Sequence, residues 1–323
     1  MQKFIAAILA FLAAFQFLGG SPCEMLWPGE AFETGRACWL WGKGLEYLYS
    51  LRSQGVGRPE NDSLLVLHRG RLVYEHYEEG EGEDSLFPVY SCTKTVVSAL
   101  VGIAIKEGYI DSVDQKVAEF YPEAVIAPGQ ESKADMTIRH LLTMTSGLPQ
   151  DLEAHCDDCM GAPDVGLAAF ETPQAAAPGE KFLYSSNPGM QCLGGILERR
   201  TGRTLSEYAR VKLFEPLGIT SVVWEHLSDG SSRAGSGIEM TARDMLRLGH
   251  LYLNDGCWDG LRILPEGWVE QSKPGSSGYG YLICDYGSDW FLGGSLEARG
   301  YGGQWITICP KRGLVVARTA RVL

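Results

Sequence analysis

Beyond its first twenty residues the chain has no apolar run long enough to cross a bilayer. Cations are scarce, with 28 Lys and Arg against 40 Asp and Glu for a net charge of −12, and no basic run offsets this. That balance argues against nucleic acid or an anionic membrane as a partner. No internal repeat or low-complexity tract occurs, which removes solenoids and disordered linkers from consideration. G-x-S-x-G is absent, so no serine sits on the strained strand-to-helix elbow that motif builds. His155-Cys156-Asp157-Asp158-Cys159 lacks a second ligand pair at zinc spacing, so a local disulfide or plain loop fits it better than a metal centre. No metal and no cofactor is expected.

What remains is a chain of 323 residues, 45% hydrophobic and 21% charged, ordinary values for a globular protein with a substantial core. Residues 1–20 read as a secretory signal: Lys3, an apolar stretch from Phe4 to Phe15, then Leu18-Gly19-Gly20-Ser21. Export to a periplasm or the medium follows from that reading, with a retained N-terminal anchor as the alternative. Cys23 follows Pro22, which does not suit a lipidation site. In an exported protein some of the nine cysteines should pair, and an odd number leaves at least one free. Cys92 and Cys192 lie within apolar helical patterns and are expected as buried thiols.

Ser63–Leu67 and Leu72–Tyr77 flank a turn at Arg69-Gly70 and predict a β-hairpin. Trp305–Cys309 and Leu314–Thr319, around Pro310-Lys311-Arg312-Gly313, predict a second hairpin at the far end. Between them the signals are mostly helical, over 91–107, Thr137–Met144, Pro188–Arg200, Thr204–Phe214 and Thr241–Asn254. An α/β (α+β) fold is therefore expected, with an antiparallel sheet built by N- and C-terminal segments, flanked by helices. A mostly helical region is inserted into it. The expected division is a leader at 1–20, a discontinuous sheet domain at 36–88 and 210–323, and a helical domain at 89–209. The stretch 150–179 is polar, punctuated by Pro and Gly, and expected to be a long functional or disordered loop.

Ser91-Cys92-Thr93-Lys94 opens the most apolar of these helices. Ser91 stands where an N-cap belongs, and Lys94 lies one turn on, on the same face. A cation near the positive end of a buried helix is unfavourable, so burial and the dipole push the lysine towards its neutral amine. A neutral amine beside a hydroxyl can take its proton. By itself S-x-x-K also fits a capping serine with a lysine that reaches solvent. Tyr184-Ser185-Ser186 supplies a phenol which, near an ammonium, could relay a proton to a leaving group through its phenolate form. Alone it fits a packed aromatic better than a proton relay. Gly300-Tyr301-Gly302-Gly303-Gln304 opens a strand where glycines would let a substrate approach the backbone, or simply make a turn.

S-x-x-K, a later Y-x-S and a Gly-Gly strand opening near the C-terminus together resemble the penicillin-recognising serine hydrolases of the class C β-lactamase family. The wording from Ser91 to Ile105 most resembles the 6-aminohexanoate-dimer hydrolase and esterase branch. Met136–Leu148 and Gly237–Asp244 resemble further segments of the group. The resemblance implies a β-lactamase-like fold, with Ser91 as nucleophile, Lys94 as its base and Tyr184 as proton relay. The resemblance leaves open whether Lys94 acts alone as the base or shares that role with Tyr184. It implies an oxyanion hole from the amides of Ser91 and Gln304, and substrate contacts from Ser186, Tyr301, Gly302 and Gly303. Tyr301-Gly302-Gly303 stands where β-lactamases and carboxypeptidases carry Lys-Thr-Gly or His-x-Gly, and Tyr184-x-Ser186 where they carry Tyr-x-Asn. A lysine there would draw in a substrate carboxylate, which a tyrosine cannot, although Arg299 is close by. The expected activity is an exported serine hydrolase acting on a small-molecule ester, linear amide or peptide. The alternatives are a D-alanyl-D-alanine carboxypeptidase or β-lactamase, and a sensor that acylates without turnover.

Overall fold

The computed structural model describes residues 62–151, 157–275, 277–285 and 294–320. The leader, Cys23, Cys38 and Cys156 lie outside the described residues. In chain order, strands β1 (Ser63–His68), β2 (Arg71–Tyr77) and β3 (Leu86–Pro88) lead into helix α1 (Thr93–Lys106). Four helices follow: α2 (Ile138–Leu142), α3 (Val165–Glu171), α4 (Pro188–Thr201) and α5 (Leu205–Ala209), the last continued by a π-turn over Arg210–Phe214. Then come β4 (Val223–Trp224), β5 (Ile238–Thr241), α6 (Ala242–Leu253), β6 (Cys257–Trp258), β7 (Leu261–Arg262) and α7 (Trp268–Gln271). The chain closes with β8 (Cys284–Asp285), β9 (Leu296–Gly300), β10 (Gln304–Cys309) and β11 (Leu314–Thr319).

The principal sheet has six strands in the order β2-β1-β11-β10-β9-β8, and its named pairings are all antiparallel. Both expected hairpins form, and β1 joins them by pairing with β11 from Ser63↔Thr319 to His68↔Leu314. Leu64 to Leu67 and Leu314 to Ala317 are buried almost completely, so both faces of these central strands are covered. Strands β8, of two residues, and β9 extend the sheet towards the Ser91 region. A small sheet β3-β5-β4 joins the segment before Ser91 to the start of α6.

Two local features differ from expectation. Ser91 does not cap α1: the N-cap is Cys92, without a side-chain bond, and Ser91 sits in the preceding 3₁₀ turn, Tyr90–Cys92. Its hydroxyl is engaged by Lys94 instead. Within the expected loop, α3 forms because Asp164 caps it, accepting from the Leu167 amide at 2.8 Å. The thiols of Cys92, Cys192, Cys257, Cys284 and Cys309 are unpaired, and those of Cys92 and Cys192 are buried.

Helix α6 is the brace of the sheet. A Cβ at Gly249 would come within 2.5 Å of Val315 Cγ1 and 2.8 Å of Ile306 Cγ2, so only glycine lets the helix lie this close to β10 and β11. Gly249→Val should therefore overpack this contact and lower unfolding free energy by about 1–3 kcal/mol, read from a urea melt. An unchanged midpoint would show that the helix and sheet separate freely.

Candidate active site

Helix α1 is buried along nearly its whole length, from Thr93 to Ala104, and Lys94 enters that interior with 1% of its surface exposed. Its Nζ lies 2.8 Å from Ser91 Oγ, 2.8 Å from Ser186 Oγ and 2.7 Å from the Gly235 carbonyl oxygen. Burial pulls the amine down to about 7, outweighing the opposing charge of Asp151. The three partners suit the neutral amine. Gly235 O can only accept and Ser186 can accept the second N–H, which leaves the nitrogen lone pair for the Ser91 hydroxyl proton.

Tyr184 lies on the other side of this pair, its ring centroid 4.9 Å from Lys94 Nζ. Burial raises its pKa well above the usual tyrosine value, although hydrogen bonding with the Ser91 side chain pulls the other way. The phenolate expected from proximity to an ammonium is therefore disfavoured. A substantial share of Lys94 is uncharged near neutrality and the phenol is desolvated, so Tyr184 stays a proton donor and Lys94 is the better base. The backbone before Ser91 is also unusual, since Tyr90 has φ +46°, a left-handed conformation that costs a bulky residue energy.

Gln304 begins β10 opposite Gly300. Cys92 Sγ donates to its carbonyl oxygen at 3.4 Å, which places the Ser91 turn directly against the start of this strand. The Gln304 side chain turns away and accepts from the Ala320 amide at 3.1 Å. Gly302 and Gly303, with φ of +74° and +98°, form the tight turn before the strand. A Cβ on Gly303 would lie 2.1 Å from Arg318 Nη1, and that guanidinium donates to the Gly303 carbonyl at 2.7 Å.

A cavity of about 430 Å³ opens in front of Ser91, with Tyr184, Tyr279, Leu282 and Cys284 on its walls. Asp151, Glu297, Arg299, Gly300 and Tyr301 complete the lining. Its size falls in the range usual for small-molecule sites. Ser186, Gly302, Gly303 and the Gln304 side chain are not part of its wall. Ser186 instead faces Lys94, while Tyr301 stands 65% exposed at the mouth, edge-on to Tyr90 at 5.8 Å. A slightly larger depression of about 470 Å³ lies elsewhere, beside the ion pair of Arg199 with Asp164, and holds none of these groups.

Three wall residues escaped sequence reasoning. Asp151 clasps the Tyr184 turn, accepting from the Ser186 amide at 2.8 Å while its own amide donates to the Tyr184 carbonyl at 3.0 Å. Glu297 is fully buried and pairs with Arg299 at 2.6 Å, with Thr307 donating to its other oxygen at 2.5 Å. Tyr279 packs edge-on to Tyr184, centroids 6.1 Å apart. No motif marks these positions. Only the alternation of Leu296-Glu297-Ala298 near an active-site strand could have drawn notice to Glu297.

A model described as Beta-lactamase matches residues 56–321. The chain belongs to the beta-lactamase family. Among curated relatives it is 27% identical over 230 residues to the 6-aminohexanoate-dimer hydrolase of Paenarthrobacter ureafaciens, a match covering 67% of this chain and 58% of that one. The match thus spans less than two thirds of that relative's length. Penicillin-binding protein 4 of Amycolatopsis lactamdurans is 26% identical over 296 residues, covering 78% and 74%. Esterase EstB of Burkholderia gladioli is 31% identical over 151 residues, covering 42% and 38%. Two solved structures show the same fold. The octameric penicillin-binding protein homologue from Pyrococcus abyssi has a TM-score of 0.65 at 20% identity, covering 85% of this chain and 72% of that one. EstCE1, a hydrolase with promiscuous acyltransferase activity, has a TM-score of 0.66 at 18% identity, covering 85% and 92%. The family is one of serine hydrolases and acyltransferases, and the antiparallel sheet with flanking helices is its β-lactamase-like fold.

Two pH experiments follow from the geometry. With Lys94 needed as a free base, kcat/KM should rise with pH through a limb near 7 and be lost below it as the amine protonates. Asp151→Asn keeps an acceptor for the Ser186 amide but removes the charge that raises the Lys94 pKa, so the limb should move to lower pH. A limb that stays in place in the variant would separate Asp151 from the lysine's titration.

Proposed function

We propose that this protein is a serine hydrolase that forms an acyl-enzyme at Ser91 and cleaves neutral esters or linear amides. The observation that carries the reading is the desolvated Lys94 amine, 2.8 Å from Ser91 Oγ at the edge of a ligand-sized cavity. In the acylation step Ser91 Oγ attacks the substrate carbonyl carbon while its proton passes to Lys94. The amides of Ser91 and Gln304 hold the negative charge that develops on the carbonyl oxygen. Collapse of the tetrahedral adduct expels the alcohol or amine, which takes a proton from Tyr184, itself reprotonated by the Lys94 ammonium. Water then attacks the acyl carbon, giving up a proton to the same pair, and the freed acid leaves Ser91 protonated. Ser186 holds the lysine in line with the serine rather than touching substrate.

The preference for neutral substrates rests on the cavity wall. Tyr301 stands where a cation would hold a carboxylate, and the one cation lining the cavity among the described residues, Arg299, is tied to Glu297 at 2.6 Å. A paired guanidinium has little charge left to offer a second carboxylate. The curated relatives named as a 6-aminohexanoate-dimer hydrolase and an esterase support cleavage of linear amides and esters. The similarity to penicillin-binding protein 4 favours the second reading, a carboxypeptidase or β-lactamase acting on cell-wall peptides or their mimics. Residues 1–20 support action outside the cytoplasm, the cavity suits a small molecule, and the net charge of −12 argues against nucleic acid.

Turnover of a short-chain p-nitrophenyl ester and of nitrocefin, side by side, tests the reading. The ester should be cleaved and nitrocefin largely spared, and Ser91→Ala should abolish both turnover and covalent labelling. Faster nitrocefin cleavage would favour the second reading, and a labelled serine without turnover would indicate a sensor. Tyr184→Phe should lower kcat by about 10²–10⁴-fold with KM little changed. A rise in KM alone would make Tyr184 a binding contact.

A further inference from the structure

Two rings of the cavity wall, Tyr184 and Tyr279, are joined beyond its lining by a third, Phe182. Tyr184 meets Tyr279 edge-on at 6.1 Å and 89°, and Tyr279 meets Phe182 at 5.5 Å and 60°. Residues 182–185 carry no helix or strand assignment, and the backbone runs on directly into the Tyr184 turn. Phe182 and Tyr184, two residues apart, both pack on Tyr279. Tyr279 is buried between them, whereas Phe182 is 43% exposed at the outer end. Leu282 adds apolar surface to the cavity, held where it is by Thr95 Oγ1 donating to its carbonyl at 2.9 Å. Of the charged lining, Glu297 and Arg299 lie on β9, while Asp151 is bonded to the backbone of the Tyr184 turn.

We infer that the Tyr184–Tyr279–Phe182 line is the leaving-group subsite and that it selects substrates whose departing alcohol or amine carries an extended alkyl or aryl part. The inference rests on the acyl-enzyme reading above. A leaving atom that takes its proton from Tyr184 must come within hydrogen-bond reach of that hydroxyl. Whatever the leaving group carries beyond that atom then lies along the rings next to Tyr184. Those rings are Tyr279 and, further out, Phe182, whose exposed face would be covered by a chain of about six carbons. The acyl part, bonded to Ser91, lies on the other side of the scissile bond and does not reach Phe182.

Alkyl esters separate the two sides without changing leaving-group acidity appreciably. Hexyl acetate should be hydrolysed with a kcat/KM about ten-fold or more above that of ethyl acetate, in line with the effect of methylenes entering an apolar pocket. Ethyl hexanoate, extended on the acyl side, should show no comparable gain. Phe182→Ala should cut the hexyl-to-ethyl ratio about five-fold while leaving the hexanoate-to-acetate ratio unchanged, and Phe182→Trp should keep or raise the first ratio. Because each result is a ratio within one variant, a loss of folded enzyme does not mimic it. Equal rates for hexyl and ethyl acetate, a Phe182→Ala ratio like that of the parent, or a gain confined to the hexanoate would each overturn the subsite. Absence of turnover of every ester, with Ser91 left unacylated, would instead sink the hydrolase reading and the subsite with it.

Discussion

The structure turns on one amine that has been taken out of water. Lys94 has almost no exposed surface, and its nitrogen touches the side chain or backbone of Ser91, Ser186 and Gly235, residues far apart in sequence. Placing an ammonium there would be costly, and the protein answers by letting the group stay neutral rather than by giving it a full ion pair. Asp151, the nearest carboxylate to bear on it, is itself half-buried and held by the Ser186 amide, and burial raises its own pKa. The balance leaves a base with its proton affinity near neutrality, a value neither a solvated lysine nor an ion-paired one would have.

The same economy of charge shapes the cavity. Glu297 has no exposed surface, and Arg299 from the same strand together with Thr307 from β10 satisfies its oxygens. An acid and a base that cancel one another make a wall that is polar in composition and nearly neutral in field. The rings of Tyr184 and Tyr279 add uncharged surface, and Asp151 is the carboxylate beside them. A substrate entering the cavity meets its strongest directional groups only at the Ser91 turn and the first residue of β10.

Much of this was legible in the chain. The terminal hairpins announced themselves by short apolar runs flanking turns at Arg69-Gly70 and Lys311-Arg312-Gly313, and the pairing of β1 with β11 follows from both needing cover. Ser91, Lys94 and Tyr184 stood out because a hydroxyl, an amine in an apolar helix and a phenol make a recognisable set. What was not legible depends on contacts across the fold. Ser186 reads as a substrate donor until Lys94 is seen to face it, and Gly302-Gly303 as an open approach until Arg318 fills the space beneath. The tyrosine's ionisation went the other way from expectation, because desolvation of the phenol is a property of its packing rather than of its neighbours in sequence. Helix α3 was hidden by flanking Pro and Gly, though its cap Asp164 was in plain view.

The closure of the sheet by β1 against β11 sets an order of events for folding. The pairing joins Ser63 to Thr319, so nearly the whole described chain is the loop that must close before either central strand is covered. Such high contact order makes folding slow and leaves the edge of β1 exposed in the meantime. The two halves of the site are separated in the same way, with Ser91 and Lys94 emerging from the ribosome long before β10. A growing chain therefore displays Ser91 without the strand that completes its surroundings, and the site is assembled only once the later-made strands join the sheet.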